Sequence, residues 1–205
     1  MIKIDLRKEL KHLYAPPAHE FTLVDVPPLP FLMVDGTGNP NDSLAFQEAM
    51  QALYGMAYTL KFAGKKQLGV DYPVMALEGL WWTKDMAEFS LQAEDEWLWP
   101  LMILQPACIT AEMVEAARTE LARKKELPAL PRLRFETYHE GLSVQIMYYG
   151  AYADEGPTIA RMHQFIRDHG YAFNGKHHEI YQGDPRRTAP EKLRTILRQP
   201  VRKFQ

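Results

Sequence analysis

Twice along this chain a β-rich run leads into a long helical stretch and then into two shorter β-rich runs. The copies are separated by Leu127-Pro-Ala-Leu-Pro131, where two prolines in five residues rule out a continuous helix. In the first copy, Phe21 to Val34 is β-rich but broken by Pro27, Pro28 and Pro30, which predicts an edge strand with a kink. From Ser43 to Ala63, Phe46, Ala49, Met50, Leu53, Met56, Ala57 and Leu60 recur at helical spacing, and Gly64 is expected to end the helix. Strands are expected at Pro73 to Trp82 and at Trp97 to Leu104. A linking helix over Thr110 to Lys125 is amphipathic on Met113, Val114, Ala117 and Leu121.

The second copy repeats the order. Leu133 to Tyr149 has strand character around a bend at Glu140-Gly141, and Pro157 suits the first turn of a helix reaching His169. His177 to Tyr181 is bounded by Asn174-Gly175 and Gly183-Asp184-Pro185, the punctuation of a short strand. Thr188-Ala-Pro-Glu191 matches a capping box before a last strand at Thr195 to Val201. The expected fold is α+β: duplicated strand–helix–strand–strand units with pseudo-twofold symmetry, mostly antiparallel sheets and a ligand groove between the halves. It is read as a single domain over 1–205, with a first repeat at about 21–105, a linking helix at about 110–126 and a second repeat at about 131–202.

Composition narrows the function. A hydrophobic share of 46% with 24% charged residues reads as a soluble globular chain, and the net charge of −2 offers no basic stripe for nucleic acid. The nearest approach is a basic C-terminal tail of Arg194, Arg198, Arg202 and Lys203. No apolar run is long enough for a membrane span, and the charged N-terminus lacks an export signal, so a cytoplasmic location is expected. The single cysteine, Cys108, suits a reducing compartment and reads as buried filler. The seven histidines lack ligand spacing, so neither a metal nor a cofactor is expected.

Chemistry concentrates in the strand at His177 to Tyr181. Alternation puts His177, Glu179 and Tyr181 on one face, and His178 and Ile180 on the other. Burying a carboxylate on an apolar strand is costly unless something answers it: a cationic ligand, a reacting electrophile or solvent. Leu77-Glu-Gly-Leu-Trp-Trp82 occupies the corresponding slot in the first copy, so two related units would bring Glu78 and Glu179 toward one groove. Trp82, in phase with Glu78, is expected to line that groove; Trp97 and Trp99 are candidate walls, and at least one of Tyr148, Tyr149 and Tyr152 is expected to reach it. Tyr54 and Tyr58 read as helix–sheet packing, and Asp184-Pro-Arg-Arg187 as a salt-bridged turn.

Ordered segments across nearly the whole chain resemble the GyrI-like small-molecule-binding proteins, specifically the stand-alone bacterial branch. They include Leu32-Met-Val-Asp-Gly-Thr-Gly-Asn-Pro40, Leu77-Glu-Gly-Leu-Trp-Trp82, Glu140-Gly-Leu-Ser-Val-Gln145, Tyr149-Gly-Ala-Tyr152 and His177-His-Glu-Ile-Tyr181. The resemblance implies a duplicated fold with an aromatic groove that binds lipophilic cations through an acid of the last repeat. It also implies, for this branch, hydrolysis of cyclopropane-bearing DNA-alkylating natural products. Glu179 then stands at the position of the central acid, with Tyr181 beside it. The expected function is cellular protection by such a hydrolase; the alternative is a binder or sensor of lipophilic cationic drugs with no turnover. As an enzyme it would use Glu179, with Tyr181 or Tyr149 as acid, and Glu78, Trp82, His177, Tyr148, Tyr152, Trp97 and Trp99 around the ligand. The expected partners are a hydrophobic or cationic aromatic small molecule and at most a weak homodimer, with no nucleic acid or membrane.

Overall fold

A computed structural model describes residues 1–84 and 97–204. Two one-turn helices, α1 (Leu6–Glu9) and α2 (Lys11–Tyr14), follow a two-residue strand β1 (Ile2–Lys3). The first unit comprises β3 (Leu29–Thr37), α3 (Leu44–Gln67), β5 (Leu77–Trp81) and β6 (Leu98–Leu104). The linking helix is α4 (Ala111–Lys124). The second unit comprises β8 (Gly141–Tyr149), α5 (Gly156–Asp168), β10 (His177–Tyr181) and β11 (Arg194–Lys203).

Both units lie in one sheet, antiparallel throughout, whose order places β8-β11-β10 beside β5-β6-β3. The two triplets have the same connectivity and meet where β10 pairs with β5. Two further strands cross between units: β2 (Thr22–Val26) pairs with β8, and β7 (Arg134–Tyr138) pairs with β3. Pro27 and Pro28 separate β2 from β3, so the expected single kinked strand is two strands serving opposite ends of the sheet. The glycine at 64 does not end α3, which runs to Gln67; it faces Tyr72 instead, at ordinary contact distance. Two short strands that the sequence reading did not separate are also present among the described residues, β4 (Val70–Asp71) beside β1 and β9 (Tyr171–Phe173) beside β11.

Helix α3 starts where the Ser43 side chain accepts a hydrogen bond from the Phe46 amide at 3.2 Å. It buries Ala52, Leu53, Met56 and Leu60 against the sheet and packs on β3 and β6, while α5 packs on β8 and β9. At the first turn of α3, Phe46 stacks on Trp81 with centroids 6.3 Å apart and meets Trp99 edge-on at 5.3 Å. Trp99 is fully buried and lies across Gly36, where an added Cβ would come within 2.0 Å of its ring. Gly36→Ala is therefore expected to destabilise the fold by about 1–3 kcal/mol, since a buried indole cannot move aside freely. Urea unfolding of the variant checks this, read as a lower midpoint at an unchanged slope.

Candidate functional site

Register decides what faces what. Glu179 pairs with Gly79, and Ile180 pairs with Glu78, so the two glutamates point to opposite sides of the sheet. The expectation that Glu78 and Trp82 look at Glu179 is corrected by this one-residue offset. Glu179 instead shares its face with His177 and Tyr181 on β10, Gly79 and Trp81 on β5, Thr195 on β11 and Tyr148 on β8.

On that face the contacts form a chain. The Tyr181 hydroxyl donates to Glu179 Oε2 at 2.7 Å, and Trp81 Nε1 donates to the Tyr181 oxygen at 3.0 Å. His177 Nε2 stands 3.4 Å from Glu179 Oε1. Gly79 makes room: a Cβ there would meet Trp81 Nε1 at 2.9 Å, displacing the N–H that holds Tyr181. Trp81→Phe is accordingly expected to leave the Tyr181 oxygen without its donor and to lower stability by roughly 1–3 kcal/mol, measured by urea unfolding.

Burial, and then the Glu179 charge, raise the Tyr181 phenol well above its ordinary range, so it remains a donor. Glu155, at the N-cap of α5, is 1% exposed. Burial and then the Glu179 charge push its carboxyl up to about 9, with Thr195 opposing in part. Yet neither Glu155 Oε1 nor Thr195 Oγ1 completes a hydrogen bond of normal geometry among the described residues. Tyr152 lies edge-on to Tyr181 with centroids 5.4 Å apart, and burial, Glu155 and Glu179 raise it to about 12.

Other expected groups divide by position. Trp97 packs on Trp81 at 5.1 Å, and Trp99 is a deeper wall, its Nε1 donating to Gly38 O at 3.0 Å. The Tyr148 hydroxyl donates to Ala151 O at 3.2 Å. Tyr149 pairs with Arg194, one position out of phase, and is 55% exposed, so its placement beside Glu179 is corrected. Trp82 sits on the other face beneath Lys176, whose Nζ is 3.5 Å from the ring centroid. Arg186 forks onto Asp184 with two bonds of 2.9 Å, the expected salt-bridged turn.

The Glu179 side chain is only 9% exposed, and the half-buried Tyr148, Tyr152 and Tyr181 form the solvent side of the site. A separate groove of about 1200 Å³ runs between α3 and α4, lined by Tyr58, Phe62, Leu121 and Leu127. Its aromatic residues are helix-borne, with none of the acids described above. Tyr54 borders that groove and also bears on the Tyr152 hydroxyl.

Beneath the other face lies a cluster absent from the sequence reading. His178 Nδ1 is 3.0 Å from both oxygens of Glu140, and His178 Nε2 is 3.0 Å from Glu78 Oε2. Both ring nitrogens meet acceptors, which requires the doubly protonated ring. Burial opposes that charge, but Glu140 and Glu78 outweigh it and raise His178 to about 9. Arg198 Nη1 donates to Glu140 Oε2 at 3.0 Å, and Nη2 to Leu13 O at 2.6 Å. Burial pushes Glu140 up, but His178 and Arg198 more than offset it and hold it at about 2. The Tyr14 hydroxyl donates to Glu78 at 2.7 Å and Gln145 to His12 O at 2.7 Å, so residues 12–14 are pinned over the cluster. Arg198 is 2% exposed, which removes it from the expected basic tail.

The profile of the GyrI-like small molecule binding domain matches residues 19–202. The chain belongs to the GyrI-like family. Among solved structures, an uncharacterised conserved protein from Listeria innocua is 40% identical with a TM-score of 0.88, over 97% of this chain and 100% of that one. Two structures of a hydrolase from Listeria innocua are 40% and 41% identical, with TM-scores of 0.82 and 0.84, over 97% and 98% of this chain and 100% of each. No curated protein matches the chain. The GyrI-like segment contains every acid of the Glu179 site, whereas Tyr14 and the residues pinned with it precede that segment. No helix among the described residues is long and apolar enough to cross a membrane.

Proposed function

We propose that this GyrI-like protein is a hydrolase that opens the activated cyclopropane rings of DNA-alkylating natural products, and so protects the cell. The observation that carries the reading is Glu179: nearly buried, oriented by the Tyr181 hydroxyl, and set among Trp81, Trp97, Tyr152 and Tyr148. A flat electrophile stacked between such rings would be shielded from bulk water, and a water beside Glu179 could lose its proton as its oxygen attacks the ring. Similarity to the Listeria innocua hydrolases at 40% and 41% identity supports the reaction class.

Tyr181 acts here through Glu179, since its hydrogen is already directed at that carboxylate. His177 and Thr195 extend the polar floor. The site needs no metal or cofactor for this chemistry, because ring strain supplies much of the driving force. The reading further places the chain in the cytoplasm, as a monomer or weak homodimer.

The test is incubation with a spirocyclopropyl cyclohexadienone and mass analysis of the product. The parent is expected to give the compound with one water added, and Glu179→Gln to leave it largely intact. An intact compound with the parent refutes the hydrolase reading. A second reading, binding of a lipophilic cation without turnover, is favoured by the acidic centre and ring walls, where cation–π contacts contribute about 0.5–2 kcal/mol each. Binding of tetraphenylphosphonium without ring opening, lost in Glu179→Gln, is the outcome expected from that reading.

A further inference from the structure

The ring-opening reaction needs a proton donor as well as a base, and most tyrosines near Glu179 are committed or turned away. The Tyr181 hydroxyl points at Glu179, the Tyr148 hydroxyl at Ala151 O, and Tyr149 lies on the far face. Glu155 differs. It is 1% exposed, it comes from the turn that opens α5 rather than from the sheet, and its buried Oε1 completes no hydrogen bond of normal geometry among the described residues, Thr195 being the hydroxyl that faces this carboxyl.

We infer that Glu155 is the proton-bearing member of a carboxyl pair with Glu179 and presents its O–H to a carbonyl oxygen of the ligand. This inference rests on the hydrolase reading for its catalytic consequence, but not for the donor itself. The titratable groups that bear on Glu155 or on its neighbours are His177, Glu179 and Tyr181 from β10, Tyr148 from β8, Tyr152 and Asp154 from its own turn, Tyr54 from α3 and Asp184 from the loop after β10; Thr195 from β11 adds a hydroxyl. Burial and the Glu179 charge both favour its neutral form, and only Thr195 opposes them. A buried acid kept neutral at neutral pH is a hydrogen-bond donor rather than a cation trap. The ligand class follows: a flat, largely apolar molecule with a conjugated carbonyl at one end and an electrophilic or cationic centre toward Glu179.

In the reaction, the oxygen of water bonds to the ring methylene as the strained carbon–carbon bond breaks. The released electron pair moves through the conjugated system to the carbonyl oxygen, which takes the Glu155 proton and becomes a phenol. Glu179 accepts the proton that water loses. Proton exchange with solvent then returns both carboxyls to their starting forms, and the net change is addition of one water.

Three measurements test the assignment. Infrared spectra at neutral pH should show a protonated carboxyl band in the parent that is missing from Glu155→Gln; its absence from the parent, or its persistence in the variant, overturns the proposal. The carbonyl stretch of bound 9-fluorenone should shift to lower frequency in the parent and not in Glu155→Leu. An unshifted band in the parent, or an equal shift in the variant, overturns it as well. With a spirocyclopropyl cyclohexadienone, Glu155→Gln should be slower by roughly 10² to 10⁴, the contribution of one positioned acid. The parent rate should also fall as the pH climbs past about 9. Equal rates in parent and variant contradict the assignment. If the parent opens no ring while both spectroscopic results hold, the hydrolase reading fails and the donor assignment stands.

Discussion

Arg198→Ala is expected to lower the stability of this protein by about 3–5 kcal/mol, a drop in Tm of roughly 6–20 °C for a chain of this size. The size of the effect comes from what the guanidinium leaves behind. Glu140 would keep His178 but lose the charge-assisted bond to Arg198, while the carbonyl of Leu13 and the amide of Gln145 would lose theirs inside a closed cluster. Differential scanning calorimetry of the variant checks the shift. A change under about 1 kcal/mol would mean that the cluster is surrounded by water, where ion pairs contribute little.

The same cluster fixes how stability depends on pH. His178 has a raised folded value of about 9 against an ordinary 6.5, so its contribution is complete below 6.5 and is lost as pH rises through 9. Glu140 has a folded value of about 2 against an ordinary 4.5, so its contribution is complete above 4.5 and is lost as pH falls through 2. The two together are fully present between 4.5 and 6.5. Glu155 acts in the same direction as His178 on the alkaline side: raised from 4.5 to about 9, it keeps a proton that the unfolded chain releases, so stability declines with rising pH. Melting curves from pH 6 to pH 9 should therefore fall in the parent and flatten in part for Glu155→Gln.

Glu179→Gln is the other large effect, on function rather than folding. Gln keeps the size of the side chain and can still accept the Tyr181 hydrogen bond, so the fold should persist. It cannot take a proton, so in the proposed reaction ring opening should slow by roughly 10² to 10⁴. A parallel loss of affinity for a lipophilic cation is expected, because the Glu179 charge is gone, while burial, the largest cause of the raised Glu155 carboxyl, still disfavours a replacement charge there. Near-UV circular dichroism identical to the parent would separate this from misfolding.

Much of this was legible in the sequence, because the signals were local. Helical periodicity located α3 and α4, Pro157 marked the start of α5, and the prolines and glycines bounded the strands. Strand alternation correctly put Glu179 with Tyr181 and His177, and His178 on the opposite side. Register was not legible. Matching Leu77–Trp82 to His178–Tyr181 pairs the two glutamates, but the ladder sets Gly79 opposite Glu179, and a shift of one residue exchanges Trp82 for Trp81 and sends Glu78 away. The same parity removes Tyr149.

Arg198 and Glu155 were missed for different reasons. Arg198 sits in Ile196-Leu-Arg-Gln-Pro-Val201, where a lone cation in an apolar strand is a signal for a buried partner, although nothing in the chain said which. Glu155 precedes Gly156-Pro157 and reads as an ordinary acid at a helix start. Only the packing of α5 on the sheet turns it inward. Residues 12–14, which precede the segment shared with the family, likewise show no hint that they seal a charged cluster.

The most direct measurement is a crystal structure of the protein with the ring-opened product of a spirocyclopropyl cyclohexadienone bound. The account predicts the new hydroxyl within hydrogen-bond distance of Glu179, the phenol oxygen at Glu155, and the ring system against Trp81 and Tyr152. A product lodged in the groove between α3 and α4, with both carboxyls untouched, would contradict it.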